Sequence, residues 1–155
     1  MGLRYRWVRA SYPFVVCVVA GLVGPAVAAD GMKVVSYERA RFVPVDPKRP
    51  EGASIAVLHG DPDTGPSSIL IKMPKGAGPV HTHTADYDLV VIEGRMRHWG
   101  RAQKEADAPE LGPGSYWHQP GREAHGDSCL TDVCVMYVTF AGRRDGALAP
   151  EPPTR

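Results

Sequence analysis

His81-Thr82-His83 is the pair of residues in this 155-residue chain whose spacing carries the most chemistry. On a strand, residues two apart point to the same face. Both imidazoles then project together, and two nitrogens a few ångströms apart are half of a metal site. His125 follows beyond a short apolar segment and the turn Pro120-Gly121, and it supplies a third nitrogen if that segment folds beside the first. Three protein ligands leave positions open for water or substrate, the arrangement of a catalytic rather than a structural metal. The implied cofactor is a divalent metal ion; Fe, Mn, Zn, Ni and Cu all accept such a donor set.

Aromatic residues concentrate on the neighbouring segments: Trp99, Tyr116, Trp117 and Tyr137. They read either as core packing or as the wall of a pocket for an organic substrate. His98 and His118 lie on the same segments, and a one-residue shift of register decides whether each faces in or out. The expected pocket lining is His98, Trp99, Trp117, His118 and Tyr137. Arg95, Arg97 and Arg122 suit a substrate carboxylate, because a guanidinium matches it bidentately. A solvated strand face accounts for them equally.

The elements that must position these groups are short. With 17 Gly and 15 Pro, the chain is poorly suited to a helical bundle, since both residues penalise helix interiors. Strand-like runs are expected over Met32 to Tyr37, Ala53 to Leu58, Ser67 to Met73, Tyr87 to Glu93, Arg95 to Trp99, Ser115 to Gln119 and Val133 to Ala141. Turn chemistry such as Gly60-Asp61-Pro62 and Gly112-Pro113-Gly114 separates them. Arg101 to Glu110 is polar and reads as a loop or short helix. Many short strands mean an all-β sandwich or barrel.

The first 29 residues read as a secretory signal peptide. Arg4, Arg6 and Arg9 precede an apolar run that ends in Ala26-Val27-Ala28-Ala29, with small residues where a signal peptidase cuts. The run is shorter than a bilayer span requires. The expected organisation is a leader over 1–29, one domain over 30–147 and a disordered Pro-rich tail over 148–155. The expected location is secreted, or the bacterial periplasm. Removing three arginines turns a net charge of +1 into −2, which leaves no electrostatic case for nucleic acid or an anionic membrane. The expected partner is a small-molecule substrate or ligand. Cys129 and Cys134 remain, and in an oxidising compartment they are expected to form a disulfide that pins a hairpin. Thiolate ligation or a redox pair is the alternative, although the spacing matches neither CxxC nor a zinc motif.

Taken in order, the histidine segments resemble the two motifs of the cupin superfamily. The first, G(X)5HXH(X)3,4E(X)6G, is similar to Lys75 through Gly94, with His81, His83 and Gly94 in place. The second, G(X)5PXG(X)2H(X)3N, is similar to Gly114 through His125, with Pro120 matching. The resemblance implies a jelly-roll β-barrel (a double-stranded β-helix) of two antiparallel sheets with the histidines inside. It also implies possible homodimerisation through sheet edges. Similar three-histidine cupins include iron-dependent dioxygenases, whereas zinc would confine the chemistry to hydrolysis or isomerisation. Other single-domain cupins are sensors or non-catalytic metal- or ligand-binding modules. Departures from the motifs are informative. Counted back from Gly94, the place of the usual glutamate holds Tyr87, while Asp88 fits the longer spacing from His83. Tyr87 shares a face with Leu89 and Val91, Asp88 with Val90 and Ile92. The Gly94 register favours Tyr87 inward, as a neighbour of the metal or a weak ligand, with Asp88 as the alternative fourth ligand. These two are the candidate catalytic acids or bases. Cys129 replaces the final asparagine, Gly121 sits one place early, and Gly76 one place after the expected position.

Overall fold

Turn chemistry breaks the described chain into nine strands, each antiparallel to its neighbours. The structure, a computed structural model, describes residues 31–150; the leader expected over 1–29 lies outside them. The described residues from Val34 onward form one compact unit. It carries β1 (Val43–Pro44), β2 (Ser54–Gly60), β3 (Ser67–Ala77), β4 (His81–Thr82), β5 (Tyr87–Glu93), β6 (Met96–Gly100), β7 (Tyr116–Gln119), β8 (His125–Phe140) and β9 (Ala147–Leu148).

The 16-residue β8 organises the rest. One edge runs along β3, and the other pairs first with β6 and then with β5, which in turn pairs with β7. Because β8 is bonded on both edges, the antiparallel layers join into one curled sheet around a shared interior. Strict alternation sorts the side chains. On β5, Tyr87, Leu89 and Val91 are buried, while Val90 and Ile92 are exposed. On β7, Trp117 and Gln119 are buried between exposed Tyr116 and His118. Ile69, Met96, Met136, Val138 and Phe140 complete the core. Each such side chain contributes about 1.5–3 kcal/mol by leaving water.

The partner change along β8 has a local cause. Leu130 to Asp132 bulge out opposite Lys75 alone, so that Cys129 pairs with Gly76 and Val133 with Pro74. The Cys129–Cys134 disulfide closes the base of this bulge. The bridge is present as expected, but it clamps an excursion within one strand instead of a hairpin. The turn between β5 and β6 packs against it. Gly94 has φ +85°, and a Cβ there would stand 2.5 Å from the Val133 carbonyl oxygen, so no other residue suits this position.

Two expectations at the ends of the domain are corrected. Met32 to Tyr37 forms no strand; a single 3-10 turn, Tyr37–Arg39, follows it. Met32 and Val34 are exposed, and this segment has no ladder partner to satisfy a strand. The tail does not begin at Leu148. Ala147–Leu148 form β9 on the edge of β4, and Ala149 N–H donates to Val80 O at 3.0 Å. The short β4 would otherwise present unpaired backbone groups, and β9 covers them. Residues 151–155 lie outside the described chain. Strand β8 also begins earlier than its apolar half indicated, because His125-Gly126-Asp127-Ser128 carries no β-branched signal. The polar segment 101–110 holds only the short turn Glu105–Asp107.

Candidate metal centre

β4 and β8 bring the three histidines together. His81 on β4 pairs directly with His125 at the start of β8, and His83 follows β4 at once. Their ring centres lie 4.4 to 5.4 Å apart. One ring nitrogen from each lies within 4.8 Å of the others.

Each ring is oriented by a different backbone carbonyl. Nδ1 of His81 donates to Pro79 O at 3.0 Å, and Nδ1 of His125 donates to Glu123 O at 3.0 Å. Nδ1 of His83 donates to Asp145 O. A carbonyl only accepts, so each Nδ1 carries the proton and each Nε2 keeps its lone pair. Three Nε2 lone pairs grouped at one place are the donor set of a divalent metal such as zinc, iron or nickel. Burial reinforces the neutral form. It pushes the imidazole of His125, 1% exposed, down to about 4, and it also lowers that of His83. Both rings are therefore unprotonated at neutral pH, the state a metal needs.

The segment after β8 locks this arrangement. The Asp145 carboxylate accepts from Thr84 Oγ1 at 2.7 Å and from Thr84 N–H at 2.8 Å. These bonds hold its carboxyl below the ordinary carboxylate range. The same residue thus ties its loop to β4 and aims His83.

A cavity of about 490 Å³ opens beside the histidines. Its walls are mostly apolar, with Met73, Leu89, Met136, Val138 and Trp117 among them, and Arg144, Asp127 and Asp145 contribute charges. Tyr87 faces inward, as the Gly94 register indicated, with its Oη donating to His125 Nε2 at 3.2 Å. Burial pushes its phenol far up, and the Asp127 charge adds to this. Tyr87 therefore presents an O–H and not a phenolate.

Other expected residues separate by strand face. Trp117 lines the cavity. His98 stacks on Trp117 at 4.7 Å between ring centres and faces the histidines from behind. Asp88 and His118 do not face the site. They stand opposite each other on β5 and β7, on the outer face, paired at 2.9 Å with each side chain half exposed. Tyr116 Oη donates to the same Asp88 oxygen at 2.5 Å. Tyr137 lies on the same outer face opposite Val90, 37% exposed. Trp99 is buried, but one residue out of phase with His98, and its ring covers Gly126, where a Cβ would meet it at 2.4 Å. The physical reason is common to all four: the side-chain period of a strand is two, so a one-residue offset reverses the face. Arg95 and Arg97 pair with Glu110, each at 3.3 Å, and Arg122 is exposed. The arginine at the cavity is Arg144.

Asp127 is a site residue that the sequence reading passed over. It stands two residues after His125 and so shares its face, which was the available signal. Its Oδ1 contacts His98 Nδ1 at 2.7 Å, and His98 Nε2 contacts Gln119 Oε1 at 3.0 Å. Gln119 Nε2 donates to Pro120 O and Glu123 O. Its oxygen must therefore face His98.

Comparisons with known proteins agree with the fold. Residues 33–139 match the family model described as "Domain of unknown function (DUF4437)". A curated relative, the "DNA damage-repair/toleration protein DRT102" of Arabidopsis thaliana, is 30% identical over 105 residues, 67% of this chain and 31% of that protein. The chain thus spans about a third of the length of the curated relative it matches. Among solved structures, the polyketide cyclase RemF from Streptomyces resistomycificus superposes with a TM-score of 0.60 at 21% identity, covering 79% of this chain and 89% of that one. An RmlC-like cupin from Shewanella frigidimarina superposes with a TM-score of 0.58 at 20% identity, covering 74% and 95%. The fold is that of the cupins, and enzymes are found among the proteins that share it.

Proposed function

We propose, for a chain that belongs to the family described as "Domain of unknown function (DUF4437)", a metal-dependent enzyme acting on a small organic substrate. The observation that carries the proposal is the set of three histidines, each tethered through Nδ1 to its own carbonyl and presenting Nε2 to one point. His81, His83 and His125 would hold the ion. A bound divalent metal supplies Lewis-acid polarisation of a substrate oxygen, or one-electron chemistry with dioxygen if it is iron or another redox-active ion.

The chain's own residues do the rest. Met73, Leu89, Met136 and Val138 offer an apolar wall that admits a mostly hydrocarbon body and excludes water. Tyr87 holds a proton at Oη beside His125, placed to hydrogen-bond an oxygen as it gains negative charge. Arg144 favours a substrate carrying an acidic group at the cavity edge. Such a site suits isomerisation, elimination or ring closure of a carbonyl compound with zinc, and dioxygenase chemistry with iron. Action in an exported compartment is part of the proposal. The leader pattern of residues 1–29 and the Cys129–Cys134 disulfide support it, and no helix among the described residues is long and apolar enough to cross a membrane.

The test is elemental mass spectrometry of the purified protein beside His81→Ala. Near-stoichiometric metal in the wild type, lost in the variant, is expected. Azide should then shift the visible spectrum of the cobalt-substituted protein by displacing an exchangeable water. A metal that azide cannot reach would indicate a non-catalytic metal-binding module, and absence of metal after reconstitution would overturn the proposal.

A further inference from the structure

We propose that Asp127 is the carboxylate ligand of the metal centre, held in place by His98 and Gln119. The inference rests on the three-histidine reading above and extends it by one donor and its support.

Position is the first argument. Asp127 Oδ2 lies 3.9 Å from His81 Nε2 and 3.9 Å from His125 Nε2. It therefore stands beside two of the three histidine donors. Strand geometry holds it there. His125 and Asp127 share the inner face of β8, while Gly126 between them is pressed under the Trp99 ring on the other face. A residue with a side chain at 126 would push the strand away from Trp99 and spoil the placement of both neighbours.

Charge is the second argument. The Asp127 side chain is only 14% exposed. Among the described residues, its ion-pair contacts are three imidazoles, His81, His98 and His125, with no lysine or arginine. A carboxylate withdrawn from water in this way is costly unless a cation or several donors face it. His98 Nδ1 answers Oδ1 at 2.7 Å, whereas Oδ2 faces only the unprotonated Nε2 atoms of His81 and His125 at 3.9 Å, and a divalent ion between the Nε2 atoms is the partner that oxygen lacks.

Support is the third argument. Gln119 donates through both protons of its amide to Pro120 O and Glu123 O, which turns Oε1 toward His98 Nε2. His98 is stacked flat on Trp117, 16° between ring planes, so its Nδ1 is held against Asp127 Oδ1. One carboxylate oxygen is thereby engaged and the other left toward the histidines. A ligating carboxylate anchored through its second oxygen is the usual construction around protein metals. The position on β5 where related motifs carry glutamate is filled by Tyr87, and the acid has moved to β8.

Cobalt(II) alone serves as the probe, with affinity read by chelator competition and coordination by the visible absorption of the full-length protein. Asp127→Asn should bind cobalt more weakly by more than the roughly 10- to 100-fold that loss of a supporting partner costs, with an altered spectrum. Asp127→Glu, which keeps an oxygen donor, should recover much of the affinity. His98→Phe should fall within that roughly 10- to 100-fold range and keep the wild-type band shape. A wild-type infrared difference spectrum on adding cobalt should also gain a metal-bound carboxylate band, which requires no variant to fold. Wild-type affinity and spectrum in Asp127→Asn, or absence of that band, would overturn the assignment while leaving the histidine centre standing. Failure of the wild type to bind cobalt would remove both.

Discussion

Two histidine–aspartate pairs stand on opposite faces of the same sheet, and they are chemically alike. His98 and Asp127 meet at 2.7 Å, with side chains 15% and 14% exposed; His118 and Asp88 meet at 2.9 Å, with 49% and 50% exposed. Each aspartate also has a tyrosine in its neighbourhood: Tyr116 bonded to Asp88 outside, and Tyr87 inside, raised first by burial and then by the charge of Asp127. Only the surroundings differ. The inner pair lies against three convergent imidazoles, with an apolar cavity alongside, while the outer pair is bathed in water. An exposed ion pair contributes little because solvent screens it. The same residues withdrawn from water gain electrostatic strength. Residue type thus nominates both pairs for chemistry, and dielectric environment selects one.

The largest effect that tests this contrast comes from removing a histidine on each side. His125→Ala should reduce bound metal to background and abolish turnover. His118→Ala should keep full metal content. Elemental analysis of the two variants decides it, and metal loss from His118→Ala would break the comparison. A smaller effect is expected from the tyrosines. Tyr87→Phe removes one hydroxyl, keeps the ring in the core and should keep the metal. It should nevertheless slow turnover about 100-fold, the scale of a proton-bearing group in catalysis. Tyr116→Phe should leave turnover unchanged, so steady-state kinetics on the pair would show whether the inner hydroxyl is special.

The smallest effect concerns Asp88. The Tyr116 hydroxyl first, and His118 second, hold its carboxyl below the ordinary value of 3.8. A carboxyl lowered in the folded state adds stability that is present above the unfolded value and disappears as pH falls through the lower folded one. With half of the side chain in solvent, screening keeps that contribution small. Urea midpoints of wild type and Asp88→Asn should differ slightly at pH 7 and coincide in strong acid. A large difference at pH 7 would mean that the outer pair is more than a solvated contact.

Much of the site was legible because its signals are local. His81-Thr82-His83 declares a shared face by spacing alone, and the Gly94 register brought Tyr87 inward and left Asp88 outward. The Cys129–Cys134 bridge was legible from spacing and an even cysteine count. Its setting was not, because a bulge inside a strand and a hairpin between strands look alike over four intervening residues. Asp127 went unseen because its two-residue spacing from His125 places it on the same face only if that polar run is a strand, and the run carries no β-branched signal. Trp99, His118 and Tyr137 were misplaced for a different reason: each lies on a segment where both faces hold large or polar side chains, so alternation gives no sign of which face is inner.

The strand-rich class, the two histidine segments and the cysteine pair were readable from the residues alone, since these rest on composition, turn residues and spacings of a few positions. Long-range packing settled which acid stands beside the histidines, which aromatic rings see the cavity and what β9 covers. Those outcomes depend on how β8 pairs with β3, β5 and β6 at once. Register between strands distant in the chain is set by the burial of whole faces, and no short stretch of residues carries that information.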